Sequence, residues 1–338
     1  MLPMLRYLTA RDVLALGGDS PQRAVQDVTD VVHLMRSNAA QMPAETHVDL
    51  ASPRAKAYAL PASVGGRFNA AGVKWTAHRP QPQDGFPLAL TMTLINQADS
   101  GMPVGLVESG GLTATRTAAV SALALRLAAP RPVRRVLLLG AGVQAQAHLH
   151  MLKALFPELD GLICWSRTAE KRHQLVQNSG PLPWPVALPD SLEQALSQPF
   201  DALITCTSAA EPFLGPEVML QGRIILQVGY HEMSFEGIRQ ASKVVADLWG
   251  DFCQTSAKSL FQMYRAGEFS AEQLDADLAQ LLIEHWRPSA DDCVYFSSFG
   301  LNVFDIALAA RLLHDAQQQE IGHLLPLFNG APDAHSSR

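Results

Sequence analysis

The segment Gly140-Ala141-Gly142-Val143-Gln144-Ala145 has the spacing GxGxxA, and each small residue serves a distinct end. Gly140 allows a tight turn, Gly142 lets the backbone approach a pyrophosphate, and Ala145 lets a helix pack closely on a strand. An apolar run, Val136–Leu139, precedes the segment and a helical stretch from Val143 follows it. Free N–H groups at that helix start would therefore face an anion. A glycine-rich turn without a ligand is the alternative. The next apolar run ends in Cys164-Trp165-Ser166-Arg167-Thr168, with no carboxylate at its tip. An acidic residue there would bind the adenosine 2′-hydroxyl of NAD, whereas Ser166, Arg167 and Thr168 suit the 2′-phosphate of NADP. The expected cofactor is thus NAD or NADP, with NADP favoured. A solvated Arg167 and a helix cap at Thr168 would account for the same residues.

Two cations lie among apolar neighbours. Arg116 sits in Leu112-Thr113-Ala114-Thr115-Arg116-Thr117-Ala118-Ala119, near the start of an apolar helix, where a charge is costly unless paired. It reads either as a carboxylate-binding arginine or as half of a salt bridge between elements. Lys74, in Gly72-Val73-Lys74-Trp75, is either a desolvated lysine fit for proton transfer or a snorkelling surface residue. His148 and His150 are two apart on a helix and point to different faces, so no shared metal is expected. No HExxH segment occurs, and Cys164, Cys206, Cys253 and Cys293 have neither disulfide-framework nor zinc spacing.

The elements that must position these residues fall into two textures. Before residue 130 the chain reads as short mixed elements. Thr9 and Asp12 open a helix, Gln22–Arg36 forms a second, strands fit Lys56–Leu60, Leu88–Ile95 and Pro103–Val107, and a helix fits Leu112–Ala129. From Arg134 onward, apolar runs at Val136–Leu139, Leu162–Trp165, Ala202–Cys206, Ile224–Val228 and Val244–Leu248 are separated mostly by helical or capped segments. Asp190 and Glu193 have capping-box spacing in one of those. Such alternation predicts an α/β fold, a Rossmann-type doubly wound parallel sheet, beside a smaller α+β domain. Leu301–Leu313 is a further helix, and the end, 331–338, is expected to fray.

The 338 residues allow about two domains. Forty-eight per cent are hydrophobic and 17% charged, and the net charge is −6, so no global attraction to nucleic acid or anionic membrane is expected. No uncharged apolar run is long enough to span a bilayer, and the start lacks the pattern of a signal peptide. A cytoplasmic protein is the default expectation.

Taken together, Gly72-Val73-Lys74, Ser100-Gly101-Met102-Pro103, the Leu112–Ala119 segment, the Gly140–Ala145 loop and Phe296-Ser297-Ser298-Phe299-Gly300 resemble the ornithine cyclodeaminase/mu-crystallin family over nearly the whole chain. The resemblance implies a homodimer acting on a small amino or imino acid. Residues 1–130, completed by 301–330, would form the substrate-binding and dimerisation domain, and 131–300 the dinucleotide-binding domain. It implies NAD(P)-dependent hydride transfer at the carbon bearing nitrogen. Lys74 and Arg116 would bind the substrate carboxylate, and Thr207, Ser208 and Gly229 would lie near the nicotinamide ribose. Two positions depart from the family pattern. His231 stands where cyclodeaminases carry an aspartate, and Pro43-Ala44-Glu45 replaces a segment that supplies a carboxylate-binding base. His231 suits acid–base work, or is a loop histidine bonded to backbone. Glu45 would repel a carboxylate and suits a substrate amine. Both departures favour an amino-acid dehydrogenase, ketimine reductase or opine-type dehydrogenase over an ornithine cyclodeaminase; a mu-crystallin-like nucleotide- or ligand-binding relative with little turnover is the further alternative.

Overall fold

The computed structural model describes residues 3–51, 55–79 and 87–328; the terminal segment 331–338 lies outside them. In chain order the elements are β1 (Met4–Leu8), α1 (Ala10–Ala15), α2 (Pro21–Arg36), β2 (Ala40–Gln41), β3 (Thr46–Asp49), β4 (Lys56–Val64), β5 (Ala70–His78), β6 (Ala89–Gln97), β7 (Pro103–Glu108) and α3 (Gly110–Leu127). There follow β8 (Arg135–Leu139), α4 (Val143–Leu155), β9 (Gly161–Trp165), α5 (Ala169–Asn178), β10 (Val186–Ala187), α6 (Leu192–Ser197), β11 (Ala202–Thr205), β12 (Ile224–Gln227) and α7 (Phe235–Gln240). The last are β13 (Lys243–Ala246), α8 (Ser259–Arg265), α9 (Leu278–Leu282), β14 (Val294–Ser297), α10 (Asn302–Gln318) and β15 (His323–Pro326).

Two compact units result. Met1–Ser20, Ser37–Thr113 and Asn302–Arg338 supply the first; Pro21–Arg36 and Ala114–Leu301 supply the second. The division differs from a simple cut at residue 130. α2 packs on α4 and α9 of the second unit, burying Ala24, Val28, Val31 and Val32. The Ala- and Leu-rich body of α3 is likewise buried nearly all round, the signature of an interior helix.

The second unit is a parallel sheet of order β10-β9-β8-β11-β12-β14-β13. Its central strands are buried on both faces, as their unbroken apolar runs require. Strand order reverses between β8 and β11, so ligands are expected beyond the carboxyl ends of those two strands. His148 on α4 fills the space beneath α3. Its Nδ1–H donates to the Gln144 carbonyl at 2.7 Å, which leaves Nε2 to accept from the Ser121 hydroxyl at 2.8 Å. Burial pushes its pKa down to about 4. The capping box expected at Asp190 is shifted by one residue: Ser191 is the N-cap of α6, accepting from the Gln194 N–H, and the Gln194 side chain accepts from the Asp190 N–H.

The first unit is a mixed sheet of order β15-β1-β7-β6-β5-β4-β2, with β3 also paired to β4. Thr9 and Asp12 form a complete capping box at α1, as their spacing predicts. α10, buried from Asn302 to Leu313, lies across β4 to β7. Gly72 and Gly105 make room for it, since a Cβ there would approach Ile306 to 3.3 Å and Leu313 to 2.3 Å. Among the described residues no helix is long and apolar enough to cross a membrane.

Candidate active site

In the second unit, β8 runs into Gly140 at φ +120°, where a Cβ would lie 2.2 Å from the Cys206 carbonyl. Only glycine can take that turn. Ala141 is half-buried, and Gly142 is the N-cap of α4 without a side-chain cap. A Cβ on Gly142 would meet nothing within 4 Å, so the space above the helix start is open. Val143 is 68% exposed at the first helical position and Ala145 is fully buried. Buried Gln144 Oε1 has no hydrogen-bond partner. An exposed helix N-terminus with open space above it fits a dinucleotide pyrophosphate.

At the tip of β9, Arg167 and Thr168 are exposed and Ser166 is half-buried. Thr168 is the N-cap residue of α5, as the capping alternative expects, but its hydroxyl makes no cap hydrogen bond. The Ser166 hydroxyl donates to the Thr168 carbonyl at 2.9 Å. Arg172, not anticipated from sequence, reaches back from α5. Its guanidinium donates to the Ser166 carbonyl at 3.3 Å and to Asp190 at 3.0 Å. The tip is thus braced from below by one arginine and carries another on its surface.

Beyond β11 and β12 lies a buried polar network that sequence reasoning missed. Glu232, fully buried, accepts from the Thr207 N–H at 3.2 Å, the Thr207 hydroxyl at 2.7 Å and Gln227 Nε2 at 3.1 Å. Gln227 Oε1 accepts from the Tyr295 hydroxyl. Gly229 has no room for a side chain, because a Cβ would lie 1.8 Å from Glu232 Oε1. Lys258 donates to the Val228 and Gly229 carbonyls at 2.5 and 2.6 Å. Burial lowers its pKa to about 8, against the nearby Glu232 and Asp247 carboxylates. Thr207 and Gly229 therefore share one cluster, Ser208 beside them is exposed, and His231 is half-buried on the turn next to Glu232.

Arg116, 4% exposed on α3, lies against Gly300. A Cβ on Gly300, whose φ is +94°, would stand 2.7 Å from Arg116 Nη1. Asp247 accepts from the Gly300 N–H at 2.7 Å. Burial raises the Asp247 carboxyl pKa, opposed by the Gly300 and Phe299 N–H groups, then by Lys258 and Arg116.

In the first unit, Lys74 is a core residue and not a surface one. It is 4% exposed, and its ammonium meets fully buried Asp305 at 2.8 Å. The other Asp305 oxygen accepts from Thr113 at 2.7 Å. Glu45 is half-buried on the loop before β3; burial raises its pKa, opposed by Lys74 and His47. No group of three or more His, Cys, Asp or Glu among the described residues could hold a metal ion.

An open parallel sheet with a glycine loop at its switch point defines a Rossmann-type dinucleotide-binding unit, here joined to a mixed-sheet unit with a buried, ion-paired lysine. The chain belongs to the ornithine cyclodeaminase/mu-crystallin family, whose sequence model matches residues 22–320. It is 24% identical over 342 aligned positions to N-((2S)-2-amino-2-carboxyethyl)-L-glutamate dehydrogenase of Staphylococcus aureus, covering 95% of this chain and 98% of that protein. Its fold matches, with a TM-score of 0.86, Thermococcus litoralis Δ(1)-pyrroline-2-carboxylate reductase in complex with NADH and L-proline (22% identity, 94% of this chain and 99% of that one). It also matches an archaeal alanine dehydrogenase dimer with bound NAD, with a TM-score of 0.83 (22% identity, 96% and 100% covered).

Proposed function

We propose that the protein is an NAD(P)-dependent oxidoreductase acting on the C–N bond of an amino or imino acid. The observation that carries this reading is the pairing, in one family member, of an open glycine-loop helix start with a lysine buried against Asp305. A nicotinamide held there would supply the hydride chemistry, donating to the imine carbon or accepting from the amine carbon. Gly140, Ala141, Gly142, Val143 and Gln144 would hold the pyrophosphate, and Thr207, Ser208 and Gly229 would lie by the nicotinamide ribose. Lys74 and Arg116 bind the substrate carboxylate, Glu45 receives the amine, and His231 exchanges the proton on nitrogen, with Lys74 assisting. Reduced cofactor should be consumed stoichiometrically with a panel of 2-oxo acids plus amines, or with cyclic imines. Ammonia release from ornithine with only catalytic nucleotide would make the chain a cyclodeaminase, and tight nucleotide binding without turnover a ligand-binding relative.

NADPH is the preferred cofactor in this reading, because exposed Arg167 and the uncapped Thr168 hydroxyl stand at the β9 tip. Charge-assisted hydrogen bonds contribute about 1.5–3 kcal/mol. Arg167→Ala should therefore cut the NADPH-to-NADH ratio of kcat/KM by roughly 10- to 100-fold; an unmoved ratio would return Arg167 to a solvated role.

A homodimer fits the first unit's sheet. Val48, Trp75 and Leu90, 53%, 45% and 43% exposed, share the face opposite Lys74 by strand register. The archaeal relative of the same fold is a dimer. Trp75→Asp with Leu90→Asp should yield a monomer by light scattering, and a persisting dimer would move the interface elsewhere. A cytoplasmic location accords with four free cysteines, three of them buried.

A further inference from the structure

The face of the first unit's sheet that carries Lys74 changes character along its strands. Under α10 it is apolar, with Leu60, Val64, Gly72 and Ile95. One register row beyond Lys74 it becomes polar. His47, Tyr58, Thr76 and Thr91 stand directly opposite one another across β3, β4, β5 and β6, and Lys56 faces His78 in the row after. Alternation places Lys74, Thr76 and His78 on one side of β5.

These side chains form one cluster. The Thr76 hydroxyl is 2.9 Å from the Thr91 hydroxyl and 3.2 Å from His78 Nε2. The Tyr58 ring lies between two imidazoles, with centroids 5.6 Å from His47 and 5.5 Å from His78. Lys56 Nζ is 3.2 Å from His47 Nε2 and 3.7 Å from Asp49, whose side chain is 81% exposed. Thr76 and Thr91 are only 7% and 6% exposed. Buried hydroxyls beside a binding lysine would be a poor surface for an alkyl side chain. Two residues along a strand span about 6.6–6.8 Å, so a group held in this row would be joined to the α-carboxylate by a short alkyl chain.

We infer that this row receives a second carboxylate, so that the substrate is an amino or imino dicarboxylic acid. The inference rests on the reading that Lys74 binds the α-carboxylate. The donor set argues for an anion over a distal amine. Hydroxyls and the His47 imidazole make up the row, with the Lys56 ammonium and His78 in the next; of the nearby carboxylates, Asp49 is exposed at the solvent edge, and half-buried Glu45 lies within electrostatic reach of both Lys74 and Tyr58. A carboxylate would accept from the Tyr58 and Thr76 hydroxyls, with Lys56 balancing its charge.

Two measurements on the full chain test this. In ammonium-dependent reduction, kcat/KM for 2-oxoglutarate should exceed that for 2-oxobutyrate by at least ~100-fold, since unmet buried polar groups reject the shorter analogue. Thr76→Val and Tyr58→Phe should each lower that ratio ~10-fold or more, and Thr76→Ser should preserve it. By calorimetry on the NADP-saturated protein, glutarate should bind at least ~10-fold tighter than butyrate, and Thr76→Val should narrow the gap. Equal preference in both measurements, or ratios unmoved by Thr76→Val and Tyr58→Phe, would overturn the subsite while leaving the oxidoreductase reading intact. Selective glutarate binding without turnover on any imine would keep the subsite and defeat that reading.

Discussion

Arg116→Ala is expected to lower kcat/KM for the amino or imino acid by roughly 30- to 4,000-fold while NADPH affinity changes by no more than about threefold. Truncating one partner of a buried, hydrogen-bonded charge pair costs about 2–5 kcal/mol or more, which sets that range. The environment of Arg116 makes the effect specific. Gly300, at φ +94°, brings its backbone against the guanidinium, and Asp247 holds the Gly300 N–H. Burial raises the Asp247 carboxyl pKa and the Arg116 charge opposes that rise, so its loss should raise the pKa further. Arg116→Lys keeps the charge without the two-pronged donor and should recover only part of the activity. Stopped-flow binding of NADPH alongside steady-state kinetics separates the two roles. Equal losses of nucleotide affinity and turnover would make Arg116 a structural residue.

The second large effect concerns Lys74 and Asp305. Lys74→Met leaves a fully buried carboxylate with the Thr113 hydroxyl but without its ammonium. Breaking a buried ion pair from one side costs about 3–5 kcal/mol, so the urea midpoint should fall together with activity. Activity alone would then be ambiguous. The double variant Lys74→Met, Asp305→Leu removes both charges, and a buried pair replaced by apolar residues is often neutral or stabilising. It should regain stability to within about 1–2 kcal/mol of the parent yet remain inactive on amino or imino acids. Recovery of turnover in the double variant would show that the ion pair serves only the fold.

Much of the second unit is legible in sequence because buried parallel strands write themselves as unbroken apolar runs. Val136–Leu139 and the glycine loop lead directly to the switch point. The first unit is harder to read. β5 was not anticipated, since exposed Trp75 and buried Lys74 invert the usual alternation of polar outside and apolar inside. Nor could local spacing find Asp305, 231 residues from its lysine, or Arg172 beneath the β9 tip. Glu232 and Lys258 were missed for a related reason. Each is an ordinary charged residue in a turn or at a helix start, and only the converging ends of β11, β12 and β14 reveal it as buried. The shift from Asp190 to Ser191 at α6 is smaller in kind, because adjacent capping residues compete for the same free N–H groups.

The threading of the chain bears on how it matures during synthesis. β1 pairs with β7 and with β15, joining Met4 to Pro326, and α10 is the cover over Lys74's side of that sheet. On the ribosome, β1 must wait for β15, made more than three hundred residues later. Until the segment from Asn302 emerges, the nascent sheet presents bare apolar surface, and the aspartate that neutralises Lys74 has not yet been translated. A chain cut after Gly300 would thus forfeit the front module while keeping every strand of the nucleotide sheet.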